Sequence, residues 1–306
     1  MFKKILIIGC GLIGSSILRA IHSKKLSKKV FVLEKSKKNI SKIKKIRSNC
    51  KLIKSINSEI SDVDLVILCT PMSQYEKIIE KLNKMLGVNC LITDVGSTKK
   101  NIIKLKNKNL NKKLNWISSH PIAGSEVSGP EHGNKNLFLN KWCVIIKEKK
   151  QNSKKIKLLS KFWKKIGSKV VLMNPVDHDK IFSITSHLPH LIAYNLIKTA
   201  QDSQKVQRKN LIQYSAGGLR DFSRIAASNE IMWRDIFFSN DNIIKAINLF
   251  TKNLNSLKKI IQNKNNKKLL SRLSNSKKVR TQIVQLKQDV SKPDFGREYF
   301  IYYKLF

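Results

Sequence analysis

The residues of this chain best suited to chemistry are a few histidines and the arginines that follow them. His120 lies in Ser119-His-Pro-Ile-Ala-Gly-Ser-Glu126, His187 and His190 in Ser186-His-Leu-Pro-His190, and Arg220 and Arg224 in Gly217-Gly-Leu-Arg-Asp-Phe-Ser-Arg-Ile-Ala226. An imidazole titrating near neutrality can take a proton from an alcohol. A guanidinium holds a carboxylate through charge-assisted hydrogen bonds. Ser97, in Asp94-Val-Gly-Ser97, and Ser125 add hydroxyls. Such a set suits an anionic substrate with a hydroxyl to be oxidised. Each residue also has a plainer reading: a lone histidine often serves as a hydrogen-bonded structural residue, and Arg220 and Arg224 could pair with Asp221 or Asp235 on a helix surface. Asp177-His178-Asp179 with His187 and His190 resembles a ligand set, but there is no H-E-x-x-H and no Cys/His pair at zinc spacing. No metal is expected. A serine hydrolase is disfavoured because no G-x-S-x-G elbow is present.

Those residues need elements to position them. Ile5–Ile8 reads as a strand buried on both faces, and Gly9-Cys-Gly11-Leu12-Ile13-Gly14 follows without a spacer. An apolar-periodic helix (Leu12, Ile13, Ile17, Leu18, Ile21) opens directly from it. In this G-x-G-x-x-G pattern Gly9 permits a tight turn, Gly11 lets the backbone approach a pyrophosphate, and Gly14 lets helix and strand lie close. The helix N-terminus then offers free N–H groups to the phosphates. A second strand over 30–33 ends in Glu34, whose carboxylate suits the ribose hydroxyls of NAD. The run 64–68 ends in Thr70-Pro71, and 90–94 ends in Asp94 before the turn at Ser97. Thr70, Pro71 and Asp94 thus join the cofactor edge, and the strand at Trp116 leads to His120 beside the expected nicotinamide. Helices are expected over 37–47, 73–86 and 153–166, the last flanked by strands at 142–146 and 170–173. This alternation predicts an α/β Rossmann-type domain over 1–173, with a doubly wound, mainly parallel sheet. From residue 174 the pattern is helical. Residues 174–272 read as an all-α substrate and dimerisation domain, in which 177–200 forms one helix kinked at Pro189. A later helix, expected over 239–261, carries a stripe of Ile243, Ile247, Phe250, Leu254, Leu257 and Ile261 that could pack within the domain or across a dimer. Residues 273–306, with Pro293-Asp-Phe-Gly and Tyr299, Phe300, Tyr302 and Tyr303, read as a tail.

Composition bounds the alternatives. The chain has 306 residues, 61 Lys and Arg against 20 Asp and Glu, and a formal net charge of +41. Such charge raises the question of a nucleic-acid partner. The excess is lysine, spread along the chain beside Asn and Ile, as AT-rich codons favour. It is not gathered on one element with interleaved aromatics. No nucleic-acid partner is expected, though the charge can draw in a small anion. Five cysteines (10, 50, 69, 90 and 143) form no C-x-x-C, which suits reduced thiols and a cytoplasmic protein. No apolar run reaches 18 residues, so no membrane span is expected.

Taken together and in order, Gly9–Gly14, Thr70-Pro71, Asp94–Ser97, Ser119–Glu126, Ser186–His190, Gly217–Ala226 and Ile231-Met-Trp-Arg-Asp-Ile236 resemble prephenate dehydrogenases over residues 1–262. The resemblance implies NAD-dependent oxidative decarboxylation of prephenate to 4-hydroxyphenylpyruvate, or of arogenate to tyrosine, by a homodimer. It gives His120 the C4 hydroxyl and Arg224 a substrate carboxylate, and places Ser97, Ser125 and His190 in the substrate pocket. The family often has Thr at the position of Ser125, and the hydroxyl is kept. Arg220 is added here as a second cation for a dianionic substrate. Lys292-Pro-Asp-Phe-Gly-Arg297 resembles the endings of some bacterial cyclohexadienyl dehydrogenases. Two rival readings are a dehydrogenase of the 3-hydroxyacid type, which would centre on a lysine in its helical part, and a basic nucleic-acid-binding protein.

Overall fold

The structure, a computed structural model, describes residues 2–46, 48–149, 151–207 and 210–286. The first half alternates strand and helix: β1 (Lys4–Ile8), α1 (Leu12–Ser23), β2 (Lys29–Leu33), α2 (Lys37–Lys44), β3 (Lys51–Ile53), β4 (Leu65–Leu68), α3 (Tyr75–Met85), β5 (Leu91–Asp94), α4 (Lys100–Asn109) and β6 (Asn115–Trp116). The six strands make one sheet in the order β3-β2-β1-β4-β5-β6, with every pairing parallel. Alternate residues of each strand enter opposite cores. Ile5, Ile7, Val30, Val32, Leu65 and Ile67 pack with Ile17, Leu18 and Ile21 of α1. Leu6, Ile8, Phe31, Leu33, Val66 and Leu68 pack with Tyr75, Ile78, Ile79 and Leu82 of α3. A sheet covered on both faces calls for apolar runs in its central strands, as in Ile5–Ile8, Val30–Leu33 and Leu65–Leu68.

The expected single sheet is in fact two. The later strands β7 (Ser119–Pro121), β8 (Trp142–Ile146) and β9 (Lys169–Met173) form a separate three-stranded sheet, with α5 (Ser153–Lys165) between β8 and β9. β7 runs antiparallel to β8, and β8 parallel to β9. The stretch around Trp116 therefore breaks after β6, and the chain re-enters a new sheet with His120 inside a strand, paired in register with Val144. β3 and β7, at three residues each, are too short for period-two patterning to reveal.

The remaining described residues are helical: α6 (Pro175–Phe182), a π-helical turn (Ser183–His187), α7 (Leu188–Gln207), α8 (Gly217–Arg224), α9 (Glu230–Ser239), α10 (Asn242–Gln262) and α11 (Asn266–Gln285). The one helix expected over 177–200 is thus α6 and α7 joined by a π turn. Proline has no N–H to donate to the helical ladder, but the first turn of a helix needs none. The widened turn lets Pro189 occupy the first turn of α7 instead of kinking a continuous helix. α6 opens on Pro175 with the Asn174 side chain accepting from Asp177 N. α10 starts at Asn242, not at Ser239, which closes α9. α11 continues to Gln285, so residues 273–285 of the expected tail are helical; Pro293–Gly296 and the aromatics Tyr299, Phe300, Tyr302 and Tyr303 lie outside the described residues.

By its contacts the chain divides into two compact units, Met1–Ala246 and Ile247–Phe306. Within the second, Arg272 of α11 donates to Asn253 O of α10 at 2.9 Å. No helix among the described residues is long and apolar enough to cross a membrane.

Two glycines are required by geometry. Gly9 turns the chain out of β1 at φ +86°, and a Cβ on Gly14 would stand 2.2 Å from Gly9 O. Over Gly11 a Cβ would meet nothing within 4 Å. Gly14→Ala is therefore expected to lower the unfolding free energy by about 1–3 kcal/mol, as overpacking does. Gly11→Ala should leave stability nearly unchanged and weaken dinucleotide binding alone. Denaturant titration beside a fluorescence titration with dinucleotide checks both.

Candidate active site

The sheet sets the site. Between β1 and β4 the strand order reverses direction, and the chains leaving their carboxyl ends diverge, opening the crevice in which such sheets bind ligands. The turn carrying Gly9 and Gly11 forms one side of this crevice and Thr70-Pro71 the other, while Leu12 opens α1, Ile13 packs on the core and Gly14 is buried against Gly9 O; a Cβ on Gly9 would come within 2.8 Å of Thr70 Cγ2. α1 has no side-chain cap, so its first N–H groups face the open space over Gly11. The buried Thr70 hydroxyl has no hydrogen-bond partner among the described residues. Glu34, at the end of β2, accepts from Cys10 N of the glycine turn and from Lys35 N and Ser36 N, all at 2.9 Å. An open cradle of unclaimed donors beside an acidic side chain fits a dinucleotide.

Behind the crevice lies a buried polar network. Asp94, expected at the cofactor, is fully enclosed: Oδ2 accepts from Lys99 Nζ at 2.5 Å and Gly96 N at 3.0 Å, and Oδ1 from Trp116 Nε1 at 3.0 Å. Its carboxylate is thus satisfied from within the protein and works as a scaffold under the site. Lys99 is equally buried and also donates to Ser119 O at 2.7 Å, which ties the end of β5 to β7. Burial lowers the Lys99 pKa against the opposing pull of Asp94.

His120 stands on β7 next to Ser119. Its Nδ1 lies 2.8 Å from His178 Nε2, and His178 Nδ1 lies 2.8 Å from Asp179 Oδ1. Asp179 also accepts from Lys99 N and Lys100 N, both at 2.8 Å, at the start of α4. Phe182 packs against both rings, 5.0 Å from His120 and 4.6 Å from His178. No hydrogen bond engages His120 Nε2 among the described residues. Sequence spacing presents His178 and Asp179 only as members of a metal set, because their partner on β7 lies 58 residues from His178.

The expectation that His120 titrates near neutrality is corrected. Burial, then the neighbouring His178, Lys99 and His187, push its pKa well below 6.5. Burial likewise lowers His178, against Asp179, and brings His187 down to about 4. All three rings are neutral at pH 7.

The helical part contributes the other side. His190 stacks on Trp233 at 3.8 Å between ring centroids, and its Nδ1 is 3.0 Å from Ser186 O. His187 is buried with Nδ1 3.1 Å from Asn240 Nδ2. Asn240 Nδ2 also donates to Asp179 O at 2.8 Å. Arg224 pairs with Glu126 at 3.0 Å. Asp235 is instead gripped by Arg234 and accepts from Ser73 N at 3.1 Å, just beyond Thr70-Pro71. The charge of Arg224 reaches His190 and lowers its pKa, after burial and against the Ser186 carbonyl. Ser97 is half-buried in the turn between β5 and α4, Ser125 is exposed in the loop after β7, and Arg220 is exposed on α8. Hydrogen bonds and ring contacts gather His120, His178, Asp179, His187 and Asn240 into one cluster, and join His190 to Trp233 and Arg224 to Glu126. They do not draw in Arg220 or Ser125.

Known proteins are similar to this chain in sequence and in fold. A family model for the prephenate dehydrogenase nucleotide-binding domain matches residues 17–172, and one for the prephenate dehydrogenase dimerization domain matches 174–275. A cyclohexadienyl dehydrogenase from Zymomonas mobilis is 32% identical over 281 residues, covering 92% of this chain and 96% of the relative. A prephenate dehydrogenase from Lactococcus lactis is 32% identical over 285 residues, covering 91% and 77%. The crystal structure of a prephenate dehydrogenase from Aquifex aeolicus, in complex with hydroxyphenyl propionate and NAD+, superposes with a TM-score of 0.84 at 34% identity, covering 92% of this chain and 99% of the other. Two family models that together span most of the chain, and relatives matched nearly end to end, lead to one conclusion: this chain belongs to the prephenate dehydrogenase family of oxidoreductases.

Proposed function

We propose that the chain catalyses the NAD-dependent oxidative decarboxylation of prephenate to 4-hydroxyphenylpyruvate, with His120 as the base and Arg224 as the carboxylate anchor. The observation that carries this reading is His120: a neutral imidazole whose Nδ1 is occupied by His178, leaving Nε2 to meet a substrate hydroxyl. A bound nicotinamide supplies the hydride acceptor. As the C4–H bond of the substrate gives up hydride, the hydroxyl proton moves toward His120 Nε2. The electron pair of the bond to the ring carboxylate then flows into the ring and out to the C4 oxygen. Carbon dioxide leaves, and the phenolic oxygen recovers its proton from His120, so no proton is gained or lost. Aromatisation drives the step, and the chain's task is orientation. Ser97 and His190 complete the pocket in this reading, with Ser125 and Arg220 brought in by substrate. Arogenate, which carries an amino acid side chain in place of the keto acid, suits the same chemistry.

The cofactor is a nicotinamide dinucleotide, and we assign it as NAD. A 2′-phosphate on the ribose would meet the Glu34 carboxylate beside the Cys10 amide. The five free cysteines suit a reducing, cytoplasmic setting. We further propose a homodimer. In the second compact unit Leu249, Leu254 and Ile261 of α10 and Leu270 and Leu273 of α11 are exposed, and a second copy would cover such faces.

His120→Asn is expected to lower kcat by about 10²–10⁴-fold with a smaller change in KM, as for lost acid–base catalysis. The acid limb of wild-type kcat/KM should lie well below pH 6.5, where His120 gains its proton. Arg224→Ala should raise KM for prephenate at least about tenfold while KM for NAD+ stays nearly unchanged. Equal loss of both, with a lowered melting temperature, would make the Arg224–Glu126 pair structural. For the cofactor, kcat/KM with NAD+ should exceed that with NADP+, and parity or reversal would overturn the role of Glu34. Light scattering at micromolar concentration should give twice the mass of one chain; a monomer alone would refute the dimer.

A further inference from the structure

We infer that His178 and Asp179 are positioning residues: Asp179 sets the tautomer of His178, and His178 in turn sets which nitrogen of His120 faces the substrate. The inference rests on the reading of His120 as the base and extends it to the two residues behind it in the hydrogen-bond chain.

Donors and acceptors along the chain of contacts fix which nitrogen of each ring carries hydrogen. The Asp179 side chain is buried and accepts from Lys99 N on Oδ1 and from Lys100 N on Oδ2, both backbone N–H groups at the head of α4. A carboxylate so held can only accept, and a helix N-terminus favours its charge. His178 Nδ1, 2.8 Å from Oδ1, must therefore carry the hydrogen. A neutral imidazole has one N–H, so His178 Nε2 bears a lone pair. His120 Nδ1, 2.8 Å away, must then donate to it, which leaves the lone pair of His120 on Nε2. The opposite tautomer of His120 would set two lone pairs against each other in a buried site, at the cost of an unmade hydrogen bond. The rings have little room to turn: Phe182 packs on both, and Asn240 ties the Asp179 backbone to His187. When Nε2 takes the substrate proton, the new positive charge on His120 is met by the His178 lone pair, itself backed by the Asp179 carboxylate. A partner on the second imidazole nitrogen that fixes tautomer and raises basicity is a recurrent device at reactive histidines.

The variant that tests this is His178→Phe, which keeps ring shape against Phe182 and removes both nitrogens. It is expected to lower kcat about 10²-fold, with KM for prephenate and for NAD+ each within about threefold of wild type. In a His120→Asn background the same change should cost less than about threefold, because a residue acting through His120 has nothing left to act on. His178→Gln, whose side-chain oxygen reaches about as far as Nε2, should recover at least tenfold over His178→Phe. Equal losses in both backgrounds, or no recovery with Gln, would leave His178 a structural core residue. If His120→Asn itself keeps wild-type kcat, the base assignment fails; if His120→Asn is crippled while His178→Phe is not, the positioning role fails. Should His178→Phe not fold, 15N spectra of histidine-labelled wild type, assigned against His120→Asn, decide the matter. They must show His120 protonated on Nδ1 and bare on Nε2 at pH 7, and the reverse pattern overturns the inference.

Discussion

A lysine ammonium with no access to solvent can persist only if the protein supplies its partners, and the site depends on one. Lys99 is fully buried. Its ammonium bridges the Asp94 carboxylate and the carbonyl of Ser119, while its backbone N–H holds Asp179. One residue thus joins the end of β5, the strand that carries His120 and the helix that carries His178. Desolvation of two charges offsets much of their attraction, so such a pair adds little net stability, yet removing one partner alone strands the other at a cost of about 3–5 kcal/mol. Its value here is registration, because each bond along the chain from Asp94 to His120 is about 3 Å long and none has slack.

The architecture sets a buried polar cluster at the edge of an open crevice. The parallel sheet ends its strands at one edge, where the glycine turn and Thr70-Pro71 open a crevice. The second sheet starts there too, with β7 delivering His120 from the side. The π turn before Pro189 and the Asn240 contact then bring α6 and α7 against that edge. Burial also tunes the chemistry. With their pKa values lowered, His120, His178 and His187 stay neutral at physiological pH, which a hydrogen-bond chain with fixed donors and acceptors requires.

Much of this was legible in the sequence, for a physical reason in each case. Strands buried on two faces carry unbroken apolar runs, and a phosphate turn must use glycine, so the runs in β1, β2, β4 and β5 and the Gly9–Gly14 loop stand out. The change to a helical pattern near residue 174 is equally visible. What stayed hidden depends on pairing over distance. The separate second sheet follows from where β7 finds β8, not from composition. Glu126 and Arg224 meet across 98 residues, so the arginine's partner was sought among its helical neighbours. Asp94 and Glu34 look alike as carboxylates at strand ends. One is enclosed beneath Lys99 and Trp116 and the other lies beside the glycine turn, a distinction that only packing makes.

At this site hydride loss from a ring carbinol is coupled to loss of the ring carboxylate. The most direct test mixes the purified protein with NAD+ and either prephenate or arogenate, following NADH absorbance and released carbon dioxide together. NADH and carbon dioxide are expected in equal amounts from prephenate, with 4-hydroxyphenylpyruvate as the product. No NADH from either substrate, or NADH without carbon dioxide, would contradict this coupling.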